Sequence, residues 1–419
     1  MITSIEALNF RCFRYVKQPI SPLNVLVGPN AAGKTTFLDV LSFIRDVVSN
    51  GPDFAIRERT DNIYDLFWMH EGKSFELAVE ASIPESLQSQ MPLPKYSTVK
   101  YEIKIGIDEV SGENGILGER VWLKNEDEPT VQERLLFPDE IFPPVRIYNP
   151  SQKFRHTRNV IHKVHKKNDN FYAETSERKS AGWIPSFKFG IKKSALGNLP
   201  DDGRRFPVAT WLRQFFSDGV QVLVLNGLLM RRPSPPGQLA TFKSDGSNLP
   251  WVIERLKSER PGDFADWIGH VQTAIPDIKD IKTVEREEDR HRYLVVEYEG
   301  GMEVPSWMIS DGTLRFLALT LLAYLPDFRG TYLVEEPENG IHPRAVEPLF
   351  QSLSSVYDAQ VLLATHSPVI LGLVDLKNVL CFAKCGSSTD IVSGPLHPAL
   401  AEWQGEASLG MLFASGILG

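Results

Sequence analysis

The sequence predicts a mixed α/β fold whose core is split by an inserted, partly helical domain. Three observations carry that reading. A short apolar strand, a glycine loop and a helix follow one another over residues 23–48, and two further apolar strands recur at 331–334 and 360–364. Between them, from about residue 150 to about 270, the pattern changes to basic, aromatic and proline-punctuated loops with separate helical segments. Strands alternating with helices at both ends are the pattern of an α/β core. At 419 residues the chain has room for two or three domains, and 42% hydrophobic with 23% charged residues is ordinary globular composition.

Taken in order, Ile2–Phe10 alternates as an edge strand, and Leu23–Val27 reads as a short buried strand. Apolar residues at helical spacing follow over 35–48. Ser74–Ser82 and 97–107 alternate apolar with polar, and turn residues such as Gly112-Glu113-Asn114-Gly115 separate the runs. Residues 1–150 therefore form a β-rich first lobe. Residues 151–270 are the inserted domain, with helical stretches at 208–216 and 249–257 around Pro233, Pro235, Pro236 and Gly237. Residues 271–419 return to core elements: a strand at 293–298, a helix from about 314 to 324, and the strands at 331–334 and Gln360–Ala364. There is no fixed-period repeat or sustained heptad, so long coiled-coil arms are not expected.

The connection after Leu23–Val27 is Gly28-Pro29-Asn30-Ala31-Ala32-Gly33-Lys34-Thr35, a complete G-x-x-x-x-G-K-[ST] phosphate-binding loop. Gly28 and Gly33 let the backbone curl so that successive N–H groups point inward, and the helix N-terminus adds partial positive charge. Lys34 is placed to reach the outer phosphates of a nucleoside triphosphate. Thr35 supplies a hydroxyl to Mg²⁺, and Thr36 satisfies another donor in the first turn.

Thr331-Tyr332-Leu333-Val334-Glu335-Glu336-Pro337-Glu338 is an apolar strand that ends abruptly in acids. One carboxylate at the strand's end can hold the Mg²⁺ hydration shell and its neighbour can orient or deprotonate water, so Glu335 is assigned to the metal and Glu336 to the water. His366 follows the next apolar strand, where an imidazole can donate to a γ-phosphate oxygen or to the attacking water. Upstream, Ser310 is a natural N-cap, and with Asp311 and Gly312 it opens an apolar helix; a serine, an open glycine and a helix N-terminus can make an anion site, while on these residues alone an ordinary capped helix is the simpler reading.

These motifs, in this order, resemble the ABC-type ATPase superfamily. Within it, the wide gap between Gly28 and Ser310, the Ser310-Asp311-Gly312-Thr313-Leu314-Arg315 form of the signature and the upstream Asp245-Gly246-Ser247-Asn248-Leu249-Pro250 segment resemble the RecF/SMC/OLD-like branch. The resemblance covers the first 50 residues and about 240–370. It implies an ABC-ATPase (P-loop NTPase) core with ATP and Mg²⁺ as ligands, Ser310 to Arg315 as the signature loop, Glu335 in the Walker B position, Glu336 as catalytic glutamate and His366 as switch histidine. It also implies a homodimer, or a higher oligomer, that sandwiches two ATP molecules between each Lys34 loop and the partner copy's signature. Arg11 and Arg14 match a region that often touches the nucleotide. Glu335 stands where Asp is usual, a departure that would slow hydrolysis.

The net charge is −8, but residues 151–195 hold eleven Lys or Arg against three acids, a segment of +8 that leaves −16 for the rest. Interleaved Phe154, Phe171, Tyr172, Trp183, Phe187 and Phe189 give it a composition able to contact phosphates and stack on bases, so nucleic acid is a candidate partner there. A solvated face or an acidic-protein contact has the same composition. His162-x-x-His165 with Lys166 and Lys167 reads as basic loop residues rather than a nuclease site. Cys12, Cys381 and Cys385 are too few for a disulfide framework and read as small, mostly buried side chains of a reducing compartment. With no apolar run of membrane-spanning length and no signal-peptide pattern, the expected location is cytoplasmic, with no membrane partner.

Stand-alone chains of this type resemble the ATPase subunits of bacterial anti-phage systems, such as PtuA of Septu or AriA of PARIS, which act with a separate effector. The expected function is thus an ATP-hydrolysing dimer that regulates a separate nuclease or toxin, since the residues after His366 hold no acidic cluster for a metal-dependent nuclease. The alternatives are a DNA-repair or chromosome-maintenance ATPase binding DNA directly, a pseudo-ATPase scaffold, and a transporter subunit. The last is disfavoured by the 276 positions separating Lys34 from Ser310.

Overall fold

The computed structural model describes all residues except 92–95, 126–133, 152–156, 176–184, 239–240, 327, 401–408, 417 and 419. The chain forms two compact units, the first comprising residues 1–220, 376–404 and 417–419 and the second 221–375 and 405–416. Neither expected boundary, at 150 or at 270, coincides with this division.

The first unit opens with β1 (Ile2–Phe10), β2 (Phe13–Pro19), β3 (Leu23–Val27), α1 (Lys34–Asn50) and α2 (Pro52–Arg57). It continues through β4 (Ser74–Ser82), α3 (Glu85–Gln88), β5 (Thr98–Ile107), β6 (Asn114–Lys124), β7 (Arg158–Val164), β8 (Asp169–Phe171), β9 (Ser186–Phe187) and α4 (Pro207–Gly219). Eight strands make one antiparallel sheet in the order β2-β1-β4-β5-β6-β7-β8-β9. β1 is paired on both sides rather than at the edge, and most of it is buried. Its alternation hides two covered faces: Phe10 meets Phe43 of α1 at 5.7 Å and Phe75 at 4.9 Å between ring centroids, while Leu8 packs with Ala78 and Ile147. Burial of this aromatic cluster is a main source of the unit's stability.

The start of the expected insertion belongs to this sheet. β7, β8 and β9 extend it, and α4 packs against α1 while its Phe216 meets Tyr101 at 5.6 Å. Three buried carboxylates tie the long connections down, each accepting from two successive backbone N–H groups. Glu76 takes those of Ile147 (2.6 Å) and Tyr148 (2.7 Å), Glu119 those of Ala195 (2.6 Å) and Leu196 (2.9 Å), and Glu174 those of Val208 (2.6 Å) and Ala209 (2.8 Å) at the N-terminus of α4. Burial pushes the Glu174 carboxyl up to about 7, against the opposing effect of the two N–H bonds.

This corrects part of the basic-segment reading. Lys163 is buried on β7, and its ammonium bonds both Asp169 carboxylate oxygens at 3.0 and 3.1 Å, so it presents no charge to a partner. His162 lies on β7, not in a loop, and His165 Nε2 is 3.1 Å from Asp108. Lys166 faces Asp108 at 3.7 Å and Lys192 pairs with Asp53 at 2.8 Å. Phe171 is core, whereas Phe187 is exposed and stacks on Phe189 with centroids 5.4 Å apart. Lys153, Phe154, Arg155, Arg178, Lys179 and Trp183 lie outside the described residues.

The second unit takes up the chain at β10 (Val220–Leu223), followed by α5 (Gly227–Arg231), α6 (Leu249–Glu259) and α7 (Pro261–Ala274). A three-stranded antiparallel sheet comes next, β11 (Ile278–Glu285), β12 (Arg292–Tyr298) and β13 (Glu303–Pro305). Then come α8 (Asp311–Leu321), β14 (Thr331–Glu335), α9 (Pro343–Ser354), β15 (Gln360–Ala364) and α10 (Pro368–Leu373). β14 and β15 pair in parallel, Thr331 opposite Gln360 and Glu335 opposite Ala364. Thr320 knits three helices beneath them: its hydroxyl accepts from the buried Trp267 indole at 3.1 Å, and its carbonyl accepts from Ser352 at 2.8 Å.

The chain then returns to the first unit with β16 (Val379–Cys385) and β17 (Ser388–Ser393), and α11 (Leu409–Ala414) belongs to the second. β16 runs parallel to β3 and antiparallel to β17. In this way α1 packs on two sheets of the first unit, with Phe37 against Phe382 of β16 at 5.6 Å and Phe43 against Phe75 of β4 at 5.4 Å. Cys381 is fully buried and Cys385 partly so. Among the described residues, no helix is long and apolar enough to cross a membrane.

Candidate nucleotide site

In the first unit the phosphate loop joins β3 to α1 as the strand–loop–helix pattern predicts. Its glycines are required by what surrounds them. Gly28 has φ +146°, and a Cβ there would lie 2.2 Å from the Phe382 carbonyl oxygen of β16. Gly33 caps α1 with φ +100°, a region that a side chain occupies only under strain. Pro29, Asn30 and Ala31 are exposed at the tip, Ala32 is buried beneath it, and Thr35 is exposed at the start of the helix. The Lys34 ammonium donates to the carbonyls of Gly28 (2.7 Å) and Pro29 (3.0 Å), which holds it over the loop. The result is a concave set of N–H donors, a cation and a helix N-terminus, which together favour a polyphosphate.

Arg11 and Arg14 have separate environments. Arg11 pairs with Asp39 of α1 at 2.9 Å, in a network where Arg59 also holds Asp39 (2.7 Å) and Asp46 (2.9 Å). Arg14 pairs with Glu140 at 3.0 Å and lies over the Trp68 ring.

In the second unit the acids lie at the end of β14. Glu335 is the exposed last residue of the strand. Glu336 has φ +44°, and its N–H donates to the Ala364 carbonyl at 2.8 Å, so the ladder with β15 persists one residue beyond the strand while the chain turns sharply. Left-handed backbone at a non-glycine residue is strain of the kind stored at functional sites. Asn339 donates to the Glu336 carboxylate. His366, just past β15, has Nε2 4.0 Å from Glu336 Oε1, a separation one water can bridge.

Glu338 aligns the two, a role the sequence reading did not give it. Its Oε1 accepts from the Thr365 hydroxyl at 2.6 Å and from the His366 N–H at 3.1 Å, clamping the histidine loop to the acidic turn. The only trace in the sequence is a third acid after Pro337.

The signature loop is also built from distant residues. Ser310 caps α8, accepting from the Thr313 N–H at 3.1 Å. Asp311 pairs with Arg231 of α5 at 2.8 Å, and Arg231 Nε donates to the Ile309 carbonyl at 3.1 Å. A Cβ on Gly312 would lie 2.2 Å from the Gly340 carbonyl oxygen, so the first turn of α8 rests directly on the turn that follows the acids. The 245–250 segment supports this arrangement. Asn248, fully buried, accepts from Lys243 N–H (2.9 Å) and donates to the Thr241 carbonyl (2.8 Å), while the Asp245 carbonyl takes the N–H of Asn226, the cap of α5.

Each unit offers hard oxygen of its own, the exposed Thr35 hydroxyl in the first and the exposed Glu335 carboxylate in the second, and hard oxygen is the donor type that Mg²⁺ prefers.

The family model described as "AAA domain, putative AbiEii toxin, Type IV TA system" matches residues 23–372. A stretch of 44 residues is 41% identical to the "OLD nuclease" of Thermus scotoductus (strain ATCC 700910 / SA-01). That match covers 10% of this chain and 8% of that protein, so the chain spans under a tenth of the relative's length. Two solved structures are similar across nearly the whole chain. One is the SmcHead bound to the C-winged helix domain of ScpA, with TM-score 0.53 and 14% identity, covering 93% of this chain and 97% of that one. The other is the Smc head domain with an extended coiled coil bound to the C-terminal domain of ScpA, derived from Pyrococcus furiosus, with TM-score 0.51, 12% identity and coverage of 93% and 95%. At these identities the likeness is one of fold, the P-loop ATPase fold of SMC heads. The chain belongs to the AAA-domain family whose model spans residues 23–372.

Proposed function

We propose that this protein binds and hydrolyses ATP with Mg²⁺, closes as a dimer around it, and uses that closure to regulate a separate effector in bacterial anti-phage defence. The observation that carries the reading is the phosphate loop, whose glycine geometry, Lys34 and helix N-terminus form one anion cradle. In this reading the loop amides from Gly28 to Thr36 bind the phosphates, and Lys34 neutralises charge that develops on the outer one. Thr35 and Glu335 hold Mg²⁺, which polarises the phosphate oxygens. Glu336 orients the attacking water and accepts its proton, and His366 donates to the γ-phosphate. Ser310, Asp311 and Gly312 present the α8 N-terminus to the nucleotide of a second copy.

The regulatory part of the proposal draws on the company the chain keeps. Its family description names a toxin of a type IV toxin–antitoxin system, one relative is named a nuclease, and two structural neighbours are heads bound to a partner protein. A cytoplasmic location accords with use of ATP. A second reading, direct binding of DNA or RNA, has one observation in its favour: the stacked and partly exposed Phe187 and Phe189 flank Lys188.

The test is phosphate release together with ATP binding for three forms of the chain. Lys34→Ala should abolish binding. Glu336→Gln should bind ATP normally, hydrolyse it about a hundredfold or more slowly, and accumulate as an ATP-bound dimer. Equal turnover by wild type and Glu336→Gln would remove Glu336 from the mechanism, and a mutant that stays monomeric at saturating ATP would remove the sandwich.

A further inference from the structure

Besides the acidic turn, the second unit carries two adjoining hollows of about 520 and 660 Å³. Arg260, Leu325, Pro326, Phe328 and Tyr332 line both, so the two form one groove. One end is lined from β10 and α6. The buried Phe242, Val252 and Leu256 make its walls, and the Phe328 and Tyr332 rings, with centroids 4.3 Å apart, mark its boundary with the other end. Gln221 of β10 also lines this end, and its side-chain oxygen is buried without a hydrogen-bond partner. A buried acceptor left without a donor is costly, and an apolar pocket of this size holding one such acceptor has the form of a ligand site.

The other end is acidic. Across the whole groove the charged side chains are Arg255, Glu259, Arg260, Asp263, Asp266 and Asp358. Arg255 pairs with Glu259 at 2.9 Å and Arg260 with Asp263 at 2.9 Å. The exposed Asp266 and Asp358 are left without an ion-pair partner among the described residues. Tyr357, next to Asp358 in the chain and 84% exposed, lines the same end. Two unmatched carboxylates beside an apolar pocket favour an occupant that is basic as well as hydrophobic.

We propose that this groove docks a partner protein through a segment in which a tryptophan lies next to lysine or arginine. The apolar end takes the indole, whose N–H supplies the missing donor to Gln221, and the basic neighbours face Asp266 and Asp358. Tryptophan combines a large apolar body with one donor and no acceptor. An aromatic anchor that fills a pocket inside a charged rim carries much of the energy of a protein interface. The inference rests on the effector-regulating reading above for what the partner is, while the groove itself does not depend on ATP. Docking here has a route to the acidic turn: Tyr332 lies on β14, the strand that ends in Glu335, and the carbonyl of Thr241, another lining residue, is held by Asn248 at 2.8 Å.

A random-peptide display library panned on the full chain without ATP tests this, with the Asp266→Lys/Asp358→Lys chain as counter-selection. Both positions are exposed and outside the nucleotide machinery, so the double variant should keep the wild-type melting temperature and ATP turnover. The wild type should enrich peptides with tryptophan beside lysine or arginine. A synthetic copy of the strongest should bind the double variant at least about tenfold more weakly, and should lose as much when its tryptophan is replaced by alanine. Gln221→Leu should weaken that peptide about three- to tenfold, the loss of one hydrogen bond, and leave its phenylalanine counterpart unchanged. No enrichment, enrichment of acidic peptides, or equal binding to the double variant would overturn the docking groove. Self-association of the wild type without ATP, abolished in the double variant, would give the groove to a second copy and overturn the partner. Unchanged ATP affinity in Lys34→Ala would overturn the ATPase reading alone, whatever the peptides show.

Discussion

The phosphate loop of the first unit and the acidic turn of the second, each taken by itself, are built by opposite means. The phosphate-loop half is contiguous, eight residues whose backbone supplies the donors, so that composition and order nearly specify its geometry. The acidic half is assembled from α5, the 245–250 segment, the first turn of α8, the turn after β14 and the loop after β15, and its side chains are aimed by Arg231, Asn248 and Glu338. The difference shows what each half asks of the protein. A polyphosphate is held by many equivalent donors, and a small error in any one is tolerated. Under the proposed function, attack by water would need Glu336 and His366 in one particular relation, and that requires a rigid frame.

If this contrast is right, damage to the frame of the acidic half should cost turnover more than nucleotide affinity. The largest effect is expected from Gly312→Ala. A helix interior ordinarily gains from alanine, but here the added carbon would overlap the Gly340 backbone oxygen, so the α8 turn and the acidic turn must separate. ATPase activity should fall at least about tenfold with a lowered melting temperature, and an alanine variant as active as wild type would show that the close approach is dispensable. Next is Glu338→Ala, which frees the Thr365 hydroxyl and the His366 N–H together. Its kcat should fall severalfold, up to about tenfold, with ATP affinity held within about threefold; loss of affinity instead would place Glu338 with the binding half.

The smallest effect sharpens the comparison from the other unit, where buried carboxylates fasten loops rather than reactive groups. With its carboxyl raised to about 7, Glu174 binds a proton in the folded chain over a range where the unfolded chain has lost it. Its contribution to stability is therefore present near pH 4.5 and declines as pH rises towards 7, by about 3 kcal/mol at most. Glu174→Gln removes this titration, so the melting-temperature difference between pH 5 and pH 8 should shrink in the variant. An undiminished difference would assign the pH dependence to other groups.

Much of the fold could be read from local pattern because local pattern causes it. Leu23–Val27, Ser74–Ser82 and Gln360–Ala364 appear as strands with the expected bounds, and the Ser310 cap opens α8, since each depends on short-range periodicity or on a side chain bonding its own turn. The readings that changed all depended on neighbours far along the chain. Ile2–Phe10 is interior because β2 and β4 both pair with it, and Lys163 is neutralised because the sheet places Asp169 beside it. A basic, aromatic composition over 151–195 describes a strand of a half-buried sheet as well as it describes an arm, and burial is not a property of composition.

By itself the sequence determined that a glycine-rich loop joins a strand to a helix, that acids end one later apolar strand and a histidine follows the next, and that the fold is α/β, because those features reside in consecutive residues whose chemistry is intrinsic. Tertiary structure alone decided why Gly28 and Gly312 must be glycine, that Glu338 holds His366, and that Asp169 neutralises Lys163. Each of these is a meeting of backbone or side-chain atoms from separate stretches, and spacing along a chain carries no record of which stretches fold into contact.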